Sequence, residues 1–315
     1  YKDILNEDEI IDKIYEQLSS SINLRVQANR PIGCLLSGGI DSSLIVSLVS
    51  KINPNIQCFT IGMENSPDVI SAKIVAKYLN VPLTVIPFDY EEGFNEITNV
   101  IKCLETWDIT TIRASTPQYL LAKYISQNTD IKVILSGEGS DEIFSGYLYS
   151  HLAPNKKELW NDGVRLLKNL YYFDCLRTDR TMSNWGLEVR VPFLNKDLVS
   201  FVLGIDPQHR VCNSLKMEKK LLRKMILKYK LLPEEIALRR KEAFSDAVSS
   251  DTLNNSWYNY IRQRIKNESL TEKNYYIKIF NELYPNLKNL NILPHYWMPQ
   301  WTETNDPSAT TLKIY

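Results

Sequence analysis

The sequence is short of several residues that would settle its class at once. Its 315 residues include only 11 glycines and 14 prolines, which excludes collagen-like and low-complexity chains. Five cysteines, Cys34, Cys58, Cys103, Cys175 and Cys212, are odd in number and form no C-x-x-C pair, with no histidine at metal-ligand spacing. They read as reduced core residues of a cytoplasmic chain, not as a disulfide framework or a zinc site. His151, His209 and His295 are scattered, so no histidine-based catalysis is implied. Net charge is absent too, with 37 Lys+Arg against 37 Asp+Glu. No bulk field draws the chain to nucleic acid or to an anionic membrane, and any anionic ligand is small and held by local arrangement. The longest apolar runs, such as Ile32–Leu36, are far too short to span a bilayer, and no signal-peptide pattern opens the chain. The opening Tyr1, in place of Met, reads as the mark of a processed or truncated product.

What is present, 44% hydrophobic and 23% charged residues, suits a globular chain of one large or two smaller domains. Within Glu7–Leu18, Ile10, Ile11, Ile14, Tyr15 and Leu18 recur at helical spacing and predict an amphipathic helix. The period then changes. Short apolar runs at Ile32–Leu36, Cys58–Ile61, Leu83–Ile86 and Lys132–Leu135 alternate with helical patterns at 42–51, 67–79, 91–103 and 117–127. Strands alternating with helices of that length imply βαβ units and a parallel sheet. Beyond about residue 150 the strand signal fades, and Leu159–Leu170, Phe173–Asn184, Asp197–Leu203 and Lys216–Tyr229 read as helices. The tail Leu293–Tyr315, with Pro294, Pro299 and Pro307, reads as coil on the surface. The expected fold is α/β, a parallel twisted sheet with flanking helices over about 31–150, extended by a mostly helical half over 151–315.

Two strings carry chemistry. The first strand runs into Ser37-Gly38-Gly39-Ile40-Asp41-Ser42-Ser43 and then a helical pattern. A Gly-rich turn opening a helix is an anion site, because the first helical N–H groups lack intrahelical partners and carry the positive end of the dipole. Gly38 and Gly39 allow close backbone approach, and Ser37, Ser42 and Ser43 offer hydroxyl donors. The loop has no lysine of the G-x-x-x-x-G-K-[ST] kind, which points to pyrophosphate as the bound group. Asp41 beside phosphate calls for a divalent cation between them, so Mg²⁺ is expected. The second string, Ser136-Gly137-Glu138-Gly139-Ser140-Asp141-Glu142, follows the fourth strand with three carboxylates in five residues. Such crowding is costly unless something positive joins it, and a metal ion is the economical answer. Strands one and four would bring Asp41 and Asp141 to one edge of the sheet, as two ligands of one Mg²⁺.

Together these strings resemble the asparagine synthetase family, in its synthetase half, which has the ATP-pyrophosphatase fold and an SGGxDS loop. The stretches Thr110–Pro117, Gly146–Tyr149, Met182–Leu194, Arg240–Glu242 and Asp306–Ala309 look like that family's as well, so the resemblance covers nearly the whole chain. It implies a ligase that uses ATP and Mg²⁺: the β-carboxylate of aspartate attacks the α-phosphate, pyrophosphate leaves, and ammonia opens β-aspartyl-AMP to asparagine and AMP. It implies that Lys241 stands near the leaving pyrophosphate, that Glu138 serves substrate binding and catalysis at the aspartate, and that Leu36, Ile61, Ser136 and Gly137 line the adenosine pocket. Arg113 is a candidate for gripping the substrate α-carboxylate, since its fork matches a carboxylate bidentately; the alternative is a structural ion pair. Arg190, next to Glu188 and before Pro192, reads as ordering its loop.

Full-length members of that family carry an N-terminal glutaminase domain that starts with a nucleophilic cysteine, and only about thirty residues precede the first strand here. The expectation is a fragment of a two-domain enzyme, or a chain served by free ammonia or a separate glutaminase subunit. Residues 1–30 then lead from a missing glutaminase domain, and 31–315 form the synthetase domain. The expected partners are aspartate, ammonia or glutamine-derived ammonia, a glutaminase domain in cis or trans and, as a homodimer, a second copy of the chain. Departures from the family are Asn195 for a usual Asp, Ser145 for Gly, and Ala243 and Ala247 for Gln and Gly. A cyclising amide synthetase of the β-lactam synthetase kind would share the ATP loops, but Thr110–Pro117 looks more like the asparagine type. An inactive nucleotide-binding scaffold would be expected to lose Ser37, Asp41 or Asp141, and all three are present.

Overall fold

The short apolar runs pair as a parallel sheet because both of its faces are covered by helices. The computed structural model describes residues 5–211, 217–239, 249, 256–266, 270–287 and 301. Among them, β1 (Ile32–Leu35), β2 (Gln57–Gly62), β3 (Leu83–Pro87), β4 (Val133–Leu135) and β5 (Glu188–Arg190) form one sheet in the order β3-β2-β1-β4-β5. Every pairing is parallel, and Cys34 of β1 lies between Cys58 of β2 and Leu135 of β4. Successive side chains then point to opposite faces. Cys34, Cys58 and Leu135 enter one core with α1 (Glu7–Arg25), α2 (Ile40–Ser50) and α3 (Pro67–Leu79). Phe59, Ile61 and Ile134 enter the other with α4 (Tyr90–Leu104) and α5 (Ile109–Asn128).

The remaining helices that bear on the site are α6 (Ser140–Phe144), α7 (Lys156–Asn169), α8 (Asp174–Ser183), α9 (Lys196–Gly204), α10 (Lys220–Lys228), α11 (Glu234–Ala237), α12 (Trp257–Ile265) and α13 (Glu272–Leu283). On the first face α1 packs against α2, α9 and α10; on the second, α4, α5 and α8 pack together. No helix among the described residues is long and apolar enough to cross a membrane. The tail Leu293–Tyr315, apart from Trp301, lies outside the described residues.

The structure departs from the expectations in three places. First, the sheet takes its fifth strand from beyond residue 150, where the sequence shows no strand signal. Glu188-Val189-Arg190 is three residues long with charge at both ends, and it becomes a strand only through its ladder with β4. Second, α1 runs on past Leu18 through three serines. Ser21 is buried and its hydroxyl donates to the carbonyl of Pro192 at 2.7 Å, so the polar residue that suggests a break is satisfied by a distant turn. Third, α5 begins at Ile109, well before the expected 117. Asp108 caps it by accepting from the Thr111 N–H at 2.8 Å. Pro117 lies inside this helix and can offer no N–H to the carbonyl of Arg113. That carbonyl accepts instead from the indole N–H of the fully buried Trp257, at 3.2 Å. The cysteine reading holds for Cys34 and Cys58, which are buried and free; Cys103 and Cys175 are free but only partly buried, and Cys212 lies outside the described residues.

Leu18 is fully enclosed where α1 meets the core of the first face. Leu18→Ala is expected to lower the unfolding free energy by about 2–5 kcal/mol, read from the midpoint of a urea titration with the slope unchanged.

Candidate active site

The strand order places a switch point between β1 and β4. From β1 the chain crosses to β2 and β3 on one side, and β4 then joins on the other. In open parallel sheets the crevice at the carboxyl edge of such a point is where ligands bind. The two acidic-glycine strings are the loops that leave β1 and β4 at that edge.

The first loop is built around its serines. The Ser37 and Ser42 hydroxyls are 3.0 Å apart, the Ser37 N–H donates to Ser42 Oγ at 3.1 Å, and the Gly39 N–H donates to Ser37 Oγ at 3.3 Å. Gly39 stands at the N-cap of α2 and supplies no side-chain cap, so the first-turn N–H groups have no capping side chain. Gly38 has a φ of 77°, and a Cβ there would fall 2.4 Å from Ser71 Cβ on α3. Ser43 is fully buried, and its hydroxyl has no hydrogen-bond partner among the described residues.

The second loop packs directly on the first. A Cβ on Gly137 would come within 2.9 Å of the Ser42 nitrogen, and Ser140 Oγ donates to Asp41 Oδ1 at 2.7 Å. The three crowded carboxylates each find their own partner inside the chain. Asp141 Oδ1 accepts from the Lys219 ammonium at 2.8 Å, and the same ammonium donates to Asp41 Oδ2. Glu138 Oε1 accepts from Arg177 at 2.8 Å and from Thr178 Oγ1 at 2.8 Å, both on α8; Arg177 also pairs with Asp174 at 2.7 Å. Burial pushes the Glu138 carboxyl up, and Arg177 opposes the rise. Glu142 Oε1 accepts the Tyr147 hydroxyl proton at 2.5 Å, and Asp174 Oδ2 lies 3.1 Å from the same hydroxyl. Burial, with Asp174 and Asp141 nearby, pushes the Glu142 carboxyl up to about 8.

The sequence-predicted residues fall into five groups. Ser37, Gly38, Gly39, Asp41, Ser42, Ser43, Ser136, Gly137, Glu138 and Asp141 gather at the two loops. Leu36 and Ile61 lie at the same carboxyl edge, but Leu36 is packed in one core and Ile61 in the other. Lys241 lies outside the described residues, as do Ala243, Ala247, Arg240–Glu242 and Asp306–Ala309. The chain reaches that segment from Arg239, which pairs with Asp68 of α3 at 3.0 Å. Arg113 does not join the loops as a free fork. Its guanidinium is bound bidentately by Glu272 of α13, with Nε to Oε1 at 2.8 Å and Nη2 to Oε2 at 2.5 Å, and stacks on Tyr258. The two oxygens that fill the fork in this structure are Glu272's, the arrangement of the alternative reading, an ion pair within the chain. Arg190 pairs with Glu188 at 2.7 Å and donates to the carbonyls of Arg25 and Gln27, ordering the turn after α1.

Three participants escape the sequence reading. Arg177 follows Asp174 at i,i+3 on a helix the pattern does reveal, but nothing in the pattern marks which face meets Glu138. Tyr147 lies in the quoted Gly146–Tyr149 string without any sign of an acidic partner. Lys219 lies in the Lys216–Tyr229 stretch that reads as a helix, and nothing in that pattern marks it as a partner of the two loops.

The asparagine synthase family profile matches residues 13–167 and 162–303. The chain belongs to the asparagine synthase family. Among curated proteins it is 46% identical over 331 residues to a probable asparagine synthetase [glutamine-hydrolyzing] of Acanthamoeba polyphaga mimivirus, covering 98% of this chain and 59% of that protein. It is 44% identical to the asparagine synthetase [glutamine-hydrolyzing] of Gallus gallus and 40% identical to that of Homo sapiens, covering 94% of this chain and 56% of each relative. The chain thus spans a little over half the length of the curated relatives it matches.

Two departures from the asparagine synthase pattern acquire a physical reading. Asn195 caps α9 by accepting from the N–H groups of Asp197 and Leu198, a task its amide oxygen performs as a carboxylate would. Ser145, where Gly is usual, ends α6 with a φ of 54° in the left-handed region. Ser145→Gly is expected to stabilise the fold by roughly 0.5–1 kcal/mol, read as a rise in the urea midpoint.

Glu142 supplies a pH signature. Its folded carboxyl keeps its proton to about 8 against an ordinary value of 4.5, so the folded state binds the extra proton between those values. The stabilisation from this group is complete below about 4.5 and is lost as pH rises to about 8. Glu142→Gln is expected to flatten that decline in unfolding free energies measured from pH 5 to 8. A variant with the wild-type slope would contradict the assignment.

Proposed function

We propose that the chain performs the ATP-dependent, AMP-forming conversion of aspartate to asparagine. The observation that carries this reading is the meeting of the uncapped N-terminus of α2 and the acidic loop at the β1–β4 switch point. The triphosphate lies against Gly38, Gly39 and the first-turn N–H groups of α2, with Ser37, Ser42 and the unpartnered hydroxyl of Ser43 as further donors. Leu36, Ile61, Ser136 and Gly137 border the adenosine. Glu138, oriented by Arg177 and Thr178, faces the aspartate, and Lys241 serves the departing pyrophosphate.

Charge neutralisation governs the chemistry. A β-carboxylate oxygen attacks the α-phosphorus, the α–β P–O bond breaks, and pyrophosphate leaves. Ammonia then attacks the acyl carbon, loses a proton and displaces AMP, and the chain's fixed N–H donors hold the phosphate charge without reorganising. Two hard carboxylates of the kind Mg²⁺ takes, Asp41 and Asp141, converge from separate loops on the Lys219 ammonium, and the ion would share them with it. Among the described residues no three acidic, histidine or cysteine side chains are placed to hold a metal ion together, so the rest of the ion's shell would be phosphate and water. When bound, the ion supplies positive charge to the phosphates.

The relatives' names include glutamine hydrolysis, and the proposal extends to ammonia delivered by a glutaminase domain in cis or trans. Residues 1–30 then lead from that domain into the synthetase domain, 31–315, with its α/β part to about 150. We place the enzyme in the cytoplasm and leave a homodimer among its expected assemblies.

Aspartate, ATP and ammonium are expected to yield asparagine with AMP and pyrophosphate in equal amounts, followed by coupled detection of pyrophosphate and chromatography of the nucleotides. Formation of ADP and phosphate would refute the proposal. Asp41→Asn is expected to keep the far-ultraviolet circular dichroism of the wild type and to lower pyrophosphate release about a hundredfold or more; wild-type turnover in this variant would remove Asp41 from the site.

A further inference from the structure

Asp41 and Asp141 stand on different loops and would repel one another at this separation if nothing lay between them. What lies between them is the ammonium of Lys219, which touches both. Three features show how firmly the chain places this one cation. Lys219 has a φ of 56° at the N-cap of α10, a left-handed conformation that L-residues rarely adopt and that surrounding structure must impose. Its side chain is 2% exposed, with both carboxylates of the two loops against its ammonium. Its stem also lies against Gly146, where a Cβ would fall 2.2 Å from Lys219 Cε and 2.1 Å from Asp141 Oδ1.

The helix behind Lys219 is anchored as well. Lys220 and Lys224 pair with Glu7 of α1, and Lys228 pairs with Asp12 at 2.5 Å. Arg223 pairs with Glu218 and donates to the carbonyls of Ala237 and Arg239. The Lys219 ammonium takes one carboxylate from each side of the crevice that faces the phosphates.

We propose that Lys219 is the positioning residue for the nucleotide: its ammonium ties the serine-glycine loop to the acidic loop at the spacing the phosphates require, and halves the negative charge they meet. The inference rests on the ATP reading above and adds a residue that does not itself react. Without the ammonium, the two carboxylates separate and the crevice opens.

The test is binding without turnover. Isothermal titration of the full chain with α,β-methylene-ATP and Mg²⁺, whose α–β link cannot be cut, reports affinity at a temperature where circular dichroism shows each protein folded. Lys219→Met is expected to weaken binding about tenfold or more, a loss within what an unpaired buried charge produces. Gly146→Ala keeps every charge but displaces the end of Lys219 and the Asp141 carboxylate, and is expected to weaken binding in the same direction. It also serves if Lys219→Met does not fold. Wild-type affinity in a folded variant of either kind, even with a lowered melting temperature, would reduce Lys219 to a structural ion pair and overturn the inference. Failure of the wild-type chain itself to bind would strike the ATP reading instead.

Discussion

Parallel pairing of β1 with β4 is the constraint from which the site follows. Because the strands run the same way, both of their loops leave from one edge. Because the chain crosses to β2 and β3 before β4 returns to the other side of β1, no crossover helix fills the space between those loops. Leu135 and Cys34, side by side in register, fix the distance at which Gly137 meets the first turn of α2. A side chain at residue 137 would drive the loops apart, so the glycine serves close approach of two backbones.

The carboxylates at this edge are met by groups from other elements of the chain. α8 sends Arg177 to Glu138, α10 sends Lys219 to Asp41 and Asp141, and the loop after α6 sends Tyr147 to Glu142. Each carboxylate in the acidic string thus has a different solution to the same desolvation problem: a guanidinium, an ammonium, or retention of its proton. Phosphate placed here meets the first-turn N–H groups of α2, which no side chain caps, beside carboxylates that each have a partner within the chain.

The second face is tied down from the far end of the described chain. Trp257 fills the hydrogen-bonding gap that Pro117 leaves in α5, and Glu272 closes on Arg113 four residues before that proline. α12 and α13 are thereby fastened to the helix that carries the Thr110–Pro117 string. Arg113 shows how a residue whose chemistry suits a ligand can be spent on the chain itself when a carboxylate of the same chain fills its fork.

The alternation of apolar runs and helical periods made the parallel sheet legible, and the two Gly-rich strings marked the loops because their residue types act locally: glycine by backbone freedom, serine by its hydroxyl, a helix start by its unpaired N–H groups. β5 was invisible because three residues with charged ends have no period and form a strand only beside β4. The early start of α5 was masked by Pro117, whose missing hydrogen bond is made good 140 residues later in the sequence, by Trp257. The sequence by itself thus determined the strand-loop-helix units and the chemistry each loop could offer. Only the tertiary structure decided the counter-charges, Lys219, Arg177 and the fork of Arg113, because a buried charge is chosen by what surrounds it in space, and spacing along the chain carries no record of that.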